Sequence, residues 1–577
     1  MLYALYIPVH YATVIMPVIV FRTIMLWVAA NCGGCFASSN PEPVKGSSLP
    51  LMRTGLGVAL FAVVGALYGR TLAPSVMPGD YAEFQMCAAV LGVPHPTGYP
   101  LYVLLGKLFT FLPFGDVAYR VNLSSAIYMA GATVMAYTIA ATLADLTSYR
   151  AHLYVPHMAI ATCGAVLFAV APTVWSMALV ARSYALNALL VGGVVVALIN
   201  WRRTGRARWF YASALLIGLS MVHHGTTYLL IPAYALYLLL VEAERRQHHI
   251  DAHPLRRWAL GAVAFSAGLS PLLFLVYRFL FGAPYYWGNP TTWKDFFDLL
   301  TGGPFHNQIM GFGTGPDTQL QRIAYGISEL SAQYTPAGIV AGLAGLVVLW
   351  RQRRAEAALL TFMMASNFAF AMNYALVGYL YFIPTYLIWG VLIAMFGVWV
   401  VHTAHTVHTA HTAHTARAGR IIPSMTLAAP VTTVIVLTAL GGAVGLALAR
   451  YPAVDQSRQT TTRDNVLALL NSVPRGASLY LDWEDLSVVR FYRMVYGMRP
   501  DLTLHTGDPA DWAKWVYCDL QAGTPAYVGE FAGFIPPAIA RDFVLAQAAT
   551  PIVHVVIRPT NSAVYEVPPC GTCATCR

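Results

Sequence analysis

Long apolar runs recur through most of the chain, separated by short loops in which arginine is concentrated. A run that crosses roughly 30 Å of hydrocarbon must satisfy its own backbone, and these runs are continuous rather than alternating, so they read as helices and not as barrel strands. Eleven spans are predicted, at about 54–68, 121–143, 155–171, 174–199, 209–222, 226–240, 258–281, 335–349, 357–373, 379–401 and 425–448. Between 401 and 416 the pattern gives way to a His-Thr-Ala repeat. A histidine tract can bind metal, but histidines spaced by three with no neighbouring acids read as an expanded linker. From Tyr451 onward the texture is that of a soluble domain. Short strand-like runs at 478–481, 502–505, 526–528 and 553–557 alternate with helical ones, which predicts a small α/β domain. Asp482, Trp483, Glu484 and Asp485 follow the first of these strands and read as a capped helix start rather than a ligand site.

Composition sharpens this picture. Hydrophobic residues make up 57% of the chain and charged ones only 10%, with a mean hydropathy of +0.58, which excludes an ordinary soluble enzyme. The net charge of +10 does not point to nucleic acid, because the arginines lie in loops between spans, where positive charge sets orientation. Arg202, Arg203, Arg206 and Arg208, then Arg245, Arg246, Arg256 and Arg257, then Arg351, Arg353 and Arg354, then Arg417 and Arg420 all share one face under the eleven-span count. That face is cytoplasmic by the positive-inside rule, and the expected location is the inner (plasma) membrane. The loop around Asp80, the loop from Gly282 to about Ser331 and residues 450–577 are then expected outside, beyond a membrane domain at 52–449. Residues 1–51 read as an extra span, a poor signal peptide or an extension ahead of a start at Met52. The last is favoured because Met52-Arg53 opens directly onto a clean span. Eight cysteines form no dense framework. Cys570, Cys573 and Cys576, with Cys518 as a fourth thiol, have zinc-like spacing, yet outside a cell they read as disulfides or frayed thiols.

Where ionisable groups are so sparse, the first predicted outer loop, 71–120, stands out by their density. A helix from Asp80 to Leu91 would carry Asp80, Glu83 and Cys87 on one face and Phe84, Ala88 and Leu91 on another. It is expected to lie on the membrane with its acids toward water. Pro94, Pro96 and Pro100 force an extended connection that holds His95 and Tyr99, and a short apolar helix at 101–112 carries Lys107. Arg120, Arg182 and Arg278 fall on or near the outer half of the membrane, against the positive-inside bias, with Arg182 inside an apolar run. An arginine there needs an anion, and its fork of donors matches a lipid phosphate. A carboxylate beside such arginines points to group transfer from a lipid-phosphate carrier, the carboxylate acting as general base and the arginines stabilising the departing phosphate. The plainer readings are an amphipathic helix with solvated charges, and internal salt bridges. His223-His224 reads as core rather than as a metal pair.

Several of these residues form a recognisable set. Gly79-Asp80-x-x-Glu83-Phe84, His95-Pro96-Thr97-Gly98-Tyr99-Pro100-Leu101, Leu112-Pro113-Phe114-Gly115 and Arg120-Val121-Asn122 resemble the first-loop signature of a GT-C branch. That branch comprises the protein O-mannosyltransferases acting on plexin-type receptor domains and their bacterial relatives. Trp175-Ser176, Tyr184-x-x-Asn187 and Trp287-Gly288-Asn289-Pro290 are similar to further landmarks of it. The resemblance implies a lipid-phosphate sugar donor, an inverting transfer and a base in the first outer loop, Asp80 first and Glu83 second. It also implies that His95 and Tyr99 shape the donor or acceptor pocket. Trp287, Asn289, His224 and Asn187 are acceptor or sugar-contact candidates, and Lys107, Arg120, Arg182 and Arg278 are donor or phosphate candidates. Two departures bear on the donor sugar and acceptor: Arg182-Ser183 stands where relatives carry an acidic residue, and Asn289 where an aspartate is usual.

The expected fold is a polytopic α-helical membrane protein of GT-C type, with about eleven spans and a small C-terminal extracytoplasmic α/β domain. The expected activity is transfer of a sugar, mannose first among candidates, from a polyprenyl-phosphate donor to a protein hydroxyl. Its partners are that donor, a protein acceptor and membrane lipid, and not nucleic acid. No metal ligand is assigned, although a divalent metal is compatible with the chemistry. A glycolipid or cell-wall glycan acceptor is the alternative. A transporter or flippase of an anionic lipid-linked substrate is a further one, but it predicts paired half-repeats, and no internal repeat is visible.

Overall fold

The computed structural model describes residues 49–147, 153–248, 253–305, 319–374, 378–417, 428–530, 534–548 and 553–560. Residues 1–48 and the cysteines at 570, 573 and 576 lie outside that set. Among the described residues, seven helices are long and apolar enough to cross a membrane, and nine spans result if each of two bent pairs counts as one. The pairs are Tyr154–Ala169 with Pro172–Ala178, bent by 71°, and Pro254–Gly268 with Leu272–Phe281, bent by 43°. Each breaks beside a proline, Pro172 or Pro271, which cannot continue a helix from its preceding turn. The two remaining predicted spans are the 17-residue helix Ala207–His223 and the 18-residue helix Arg354–Ala371, whose first turn carries Glu356.

Two expectations are corrected here. The predicted span 174–199 is not one helix: Pro172–Ala178 ends, the chain turns, and Arg182 is the N-cap of Ser183–Thr204. The cause is a neighbouring span whose buried polar side chains take the backbone groups a continuous helix would need. Asn122 Oδ1 accepts from the Ala181 amide at 2.9 Å, and Ser125 Oγ accepts from the Arg182 amide at 3.3 Å. Arg182 therefore sits at a helix end rather than inside an apolar run. The His-Thr-Ala repeat, expected as a linker, continues the helix Ile383–Arg417. No glycine or proline falls in the repeat to stop it.

Ser183–Thr204 is the most enclosed span, with 83% of its apolar window buried, whereas Thr432–Val454, at 6%, stands at the rim. Arg182 and Arg202 mark opposite ends of this 22-residue helix, about 30 Å apart along its axis. At the Arg202 end the arginine-rich loops meet. Arg202 pairs with Glu244 at 2.8 Å and Glu356 at 2.6 Å, and Arg257 with Glu242 at 2.5 Å. Three of the four arginine groups expected to share a face thus meet in space, while Arg420 of the fourth lies outside the described residues.

Beyond the bundle, five strands form one sheet in the order β2-β1-β3-β5-β4: β1 Ser478–Tyr480, β2 Thr503–His505, β3 Ala526–Gly529, β4 Phe543–Gln547 and β5 Val553–Pro559. Central β1 runs parallel to β2 and β3, with Leu479 opposite Leu504 and Tyr527, while β5 runs antiparallel to β3 and β4. From β1 the chain enters the helix Trp483–Tyr496, N-capped by Asp482, whose side chain accepts from the Asp485 amide at 3.1 Å. The capped start read from the sequence is present. This helix lies against the helix Asp80–Val90, and one apolar cluster runs across the junction, joining Met86, Cys87 and Val93 to Leu486, Val489 and Phe491.

Candidate active site

The site is assembled at the Arg182 end of the bundle, and Asn122 ties its backbone together. Asn122 Nδ2 donates to the carbonyls of Ala73 and Ser75, at 3.1 and 3.2 Å, and Oδ1 accepts from Gln85 Nε2 as well as from the Ala181 amide. One buried side chain thus fixes the end of the first span, the Asp80–Val90 helix and the turn before Arg182. Gly79 precedes that helix at φ 62°, a conformation L side chains rarely adopt, and a Cβ there would collide with the Glu484 carboxylate. The Gly79 amide in turn donates to the Glu484 carbonyl at 3.1 Å.

Asp80 opens the helix with both carboxylate oxygens engaged. Arg182 Nη1 donates to Oδ2, and Trp483 Nε1 donates to Oδ1 at 2.9 Å. His95 Nδ1 lies 4.0 Å from the same Oδ1 and 2.5 Å from Glu83 Oε2. Glu83 is fully buried and also accepts from the His95 amide at 3.1 Å and the Tyr285 hydroxyl at 3.0 Å. The Asp80 side chain keeps 29% of its surface open. Burial alone would push its carboxyl up, but the charges of His95 and Arg182 and the hydrogen bonds from Trp483 and Arg182 outweigh it, holding the pKa down at about 2. For His95, burial opposes the charged ring, yet Asp80 and Glu83 prevail and raise its pKa above the usual value. The expectation of a helix lying with its acids toward water is corrected. Glu83 faces inward, held by His95 and Tyr285, while Cys87 on the same face packs into the apolar cluster shared with Trp483–Tyr496.

Asp80, Glu83 and His95 each offer one ligand atom, all within 4.8 Å of one another. No metal ligand was expected from the sequence, and the structure brings this set together. A divalent cation there would have to compete with Arg182 for Asp80 and with His95 for Glu83.

Residues 80–247 match the family model described as the protein O-mannosyl-transferase TMEM260 N-terminal domain. This is the branch that the first-loop residues resembled. The protein O-mannosyl-transferase TMEM260 of Mus musculus is 35% identical over 249 residues, which are 41% of this chain and 33% of that protein. Its namesake in Dictyostelium discoideum is 25% identical over 312 residues, 51% of this chain and 36% of that protein. The chain therefore spans about a third of the length of the curated relatives it matches. Among solved structures, ArnT from Cupriavidus metallidurans bound to undecaprenyl phosphate superposes with a TM-score of 0.52 at 14% identity, covering 89% of this chain and 98% of that one. The apo form gives 0.55 at 15%, covering 88% and 98%. At such identity the likeness speaks for the fold, which is of GT-C type.

Asp80, Glu83, His95 and Arg182 thus converge within the matched family domain, and an aromatic shell surrounds them. The Phe84 ring meets His95, Tyr99 and Tyr102 edge-on at 5.3, 5.1 and 4.9 Å, and His224 stands 6.1 Å from Tyr99 and 5.5 Å from Tyr184. Arg182 stacks over Tyr81 at 4.8 Å. Asn187 is buried on the helix that Arg182 caps, and its Oδ1 has no hydrogen-bond partner among the described residues. The other three basic candidates are engaged elsewhere. Arg120 donates to the carbonyls of Thr110, Phe114 and Gly115, satisfying a turn that follows a helix end. Lys107 donates to the Ala89 carbonyl at 2.5 Å, and Arg278 lies against Phe274 and Tyr277 and 3.5 Å from the Gly282 carbonyl. Trp287 contributes its backbone, donating to the Val93 carbonyl at 3.0 Å, and Asn289 sits exposed in a turn at φ 43°.

Two residues that hold the cluster were not singled out from the sequence. Tyr285 lies in an aromatic run, Tyr285-Tyr286-Trp287, where only the tryptophan stood out. Trp483 stood inside a segment read as a helix cap.

Proposed function

We propose that this chain is an inverting GT-C glycosyltransferase that moves a sugar, mannose first among candidates, from a polyprenyl-phosphate donor to a protein hydroxyl. The chemistry is placed on the extracytoplasmic face of the plasma membrane. The observation that carries the reading is Asp80: an ionised, partly open carboxylate at the start of a helix, paired with Arg182 inside the matched family domain. Glu83 is a poorer base, because it is fully buried and holds three donors in place.

Each Asp80 oxygen gives one lone pair to Trp483 or Arg182 and retains another. One of these takes the acceptor hydroxyl's proton as the hydroxyl oxygen bonds to the anomeric carbon. The bond from that carbon to the donor phosphate breaks, and the lipid phosphate leaves with the electron pair. A carboxylate this acidic is a weak base, so it accepts the proton late, once bond formation has acidified the hydroxyl. Arg182 Nε is buried with no hydrogen-bond partner among the described residues. It supplies a donor for the departing phosphate while Nη1 holds Asp80. The aromatic shell of Tyr99, Tyr184 and His224 offers ring faces and edges for the sugar.

The test is transfer of labelled mannose from polyprenyl-phosphate mannose to protein in purified membranes, comparing the native chain with Asp80→Asn. Label on protein with the native chain, lost on the order of 100-fold or more in a variant that still binds donor, is the expected outcome. Equal transfer by both would remove the base assignment, and label arriving on lipid or glycan would change the acceptor. Repeating the native assay after chelation and with an added divalent cation tests the three-donor group for a metal requirement.

A further inference from the structure

The contact between Asp80 and Trp483 joins residues 403 positions apart, and it lies outside the matched family domain on the tryptophan side. Trp483 is not adrift on a surface loop. Strand β1 ends at Tyr480, one residue short of Asp482, and the cap made by that side chain sets the first turn of Trp483–Tyr496. The Gly79–Glu484 backbone bond and the shared apolar cluster then hold that turn against the start of the Asp80–Val90 helix. Carboxyl ends of central parallel strands are where α/β sheets present functional groups. The indole N–H is aimed at one carboxylate oxygen while Arg182 holds the other, so the plane of the carboxylate is set from both sides. His95, Glu83, Arg182 and Glu484 are the charged groups around Asp80, the phenols of Tyr81, Tyr99, Tyr184 and Tyr374 also interact with it, and among the described contacts only Arg182 and Trp483 donate to its oxygens.

We propose that Trp483 is a positioning residue for Asp80, so that the C-terminal α/β domain completes the catalytic group rather than merely flanking it. This rests on the reading of Asp80 as the base. The experiment uses the full chain in three variants. Trp483→Phe keeps an aromatic ring and loses the donor; Trp483→Gln loses the ring and keeps an N–H donor; Asp80→Asn decides the base assignment separately. Removing one hydrogen bond to a charged group is expected to lower kcat about tenfold or more in Trp483→Phe, with the acceptor KM within about twofold. Trp483→Gln should be the faster of the two, because direction of donation outweighs ring shape. The indole 15N–1H signal of Trp483, identified by its absence in Trp483→Phe, should move in Asp80→Asn. A Phe variant as fast as the native chain, Phe outperforming Gln, or an indole signal indifferent to Asp80→Asn overturns the proposal while leaving the base reading intact. Transfer that survives in Asp80→Asn overturns both.

Discussion

His95 sits between two carboxylates and beside Arg182, and its charge state follows from that company. Its pKa is raised above 6.5 in the folded chain. A raised value means that its contribution to stability is fully present below 6.5 and is lost as pH rises through the folded value. Thermal unfolding in detergent should therefore show the native chain losing stability on the alkaline side, with His95→Gln less stable in acid and lacking that slope; parallel profiles would remove His95 from the account. Asp80 behaves oppositely: held down at about 2, it stays ionised throughout the neutral range. At this scale the sequence was informative where chemistry is dense and local. Asp80, Glu83, His95 and Tyr99 lie within twenty residues of one another, and their types alone suggested a site. Arg120 misled for a physical reason: a guanidinium bonding its own turn's carbonyls and one bonding a phosphate look alike until the turn is built. Trp483 and Tyr285 were hidden because each reaches the cluster from a distant segment through a single donor.

The junction of two helix starts, Asp80–Val90 and Trp483–Tyr496, carries its own test. Gly79 occupies a left-handed conformation against the Glu484 carboxylate, so Gly79→Ala faces both backbone strain and a collision. The expected cost is about 1–3 kcal/mol of stability, read by thermal unfolding, together with reduced transfer. Adding Glu484→Ala should recover the part due to collision and leave the part due to φ, a coupling that a double-mutant cycle isolates. A Gly79→Ala chain as stable as the native one would mean that the two helix starts do not touch. Elements were legible wherever a period or a cap declared them, as for the Asp482-capped helix. The break before Arg182 was not, because residues 174–199 are largely apolar and neither glycine nor proline marks the break. The bonds that end the helix there come from Asn122 and Ser125 on another span.

For the whole molecule, the charge pattern predicted which loops would gather, and Arg202, Arg257 and their glutamate partners do gather at the end remote from Asp80. Labelling intact cells with a membrane-impermeant maleimide tests the sidedness. A cysteine introduced at the exposed Ser472 should react and one at the exposed Arg351 should not; the reverse would invert the topology. The architecture was legible because apolar length and arginine placement are properties of the chain itself. How the α/β domain docks was not, since docking depends on surfaces that exist only after both parts have folded. The 403-residue separation of Asp80 and Trp483 has a consequence in time. A ribosome needs about 20–80 s to cover that distance, so a nascent chain exposes Asp80 well before its indole partner has been made. If Trp483 orients Asp80 as proposed, a stalled translation product would carry the carboxylate without that partner.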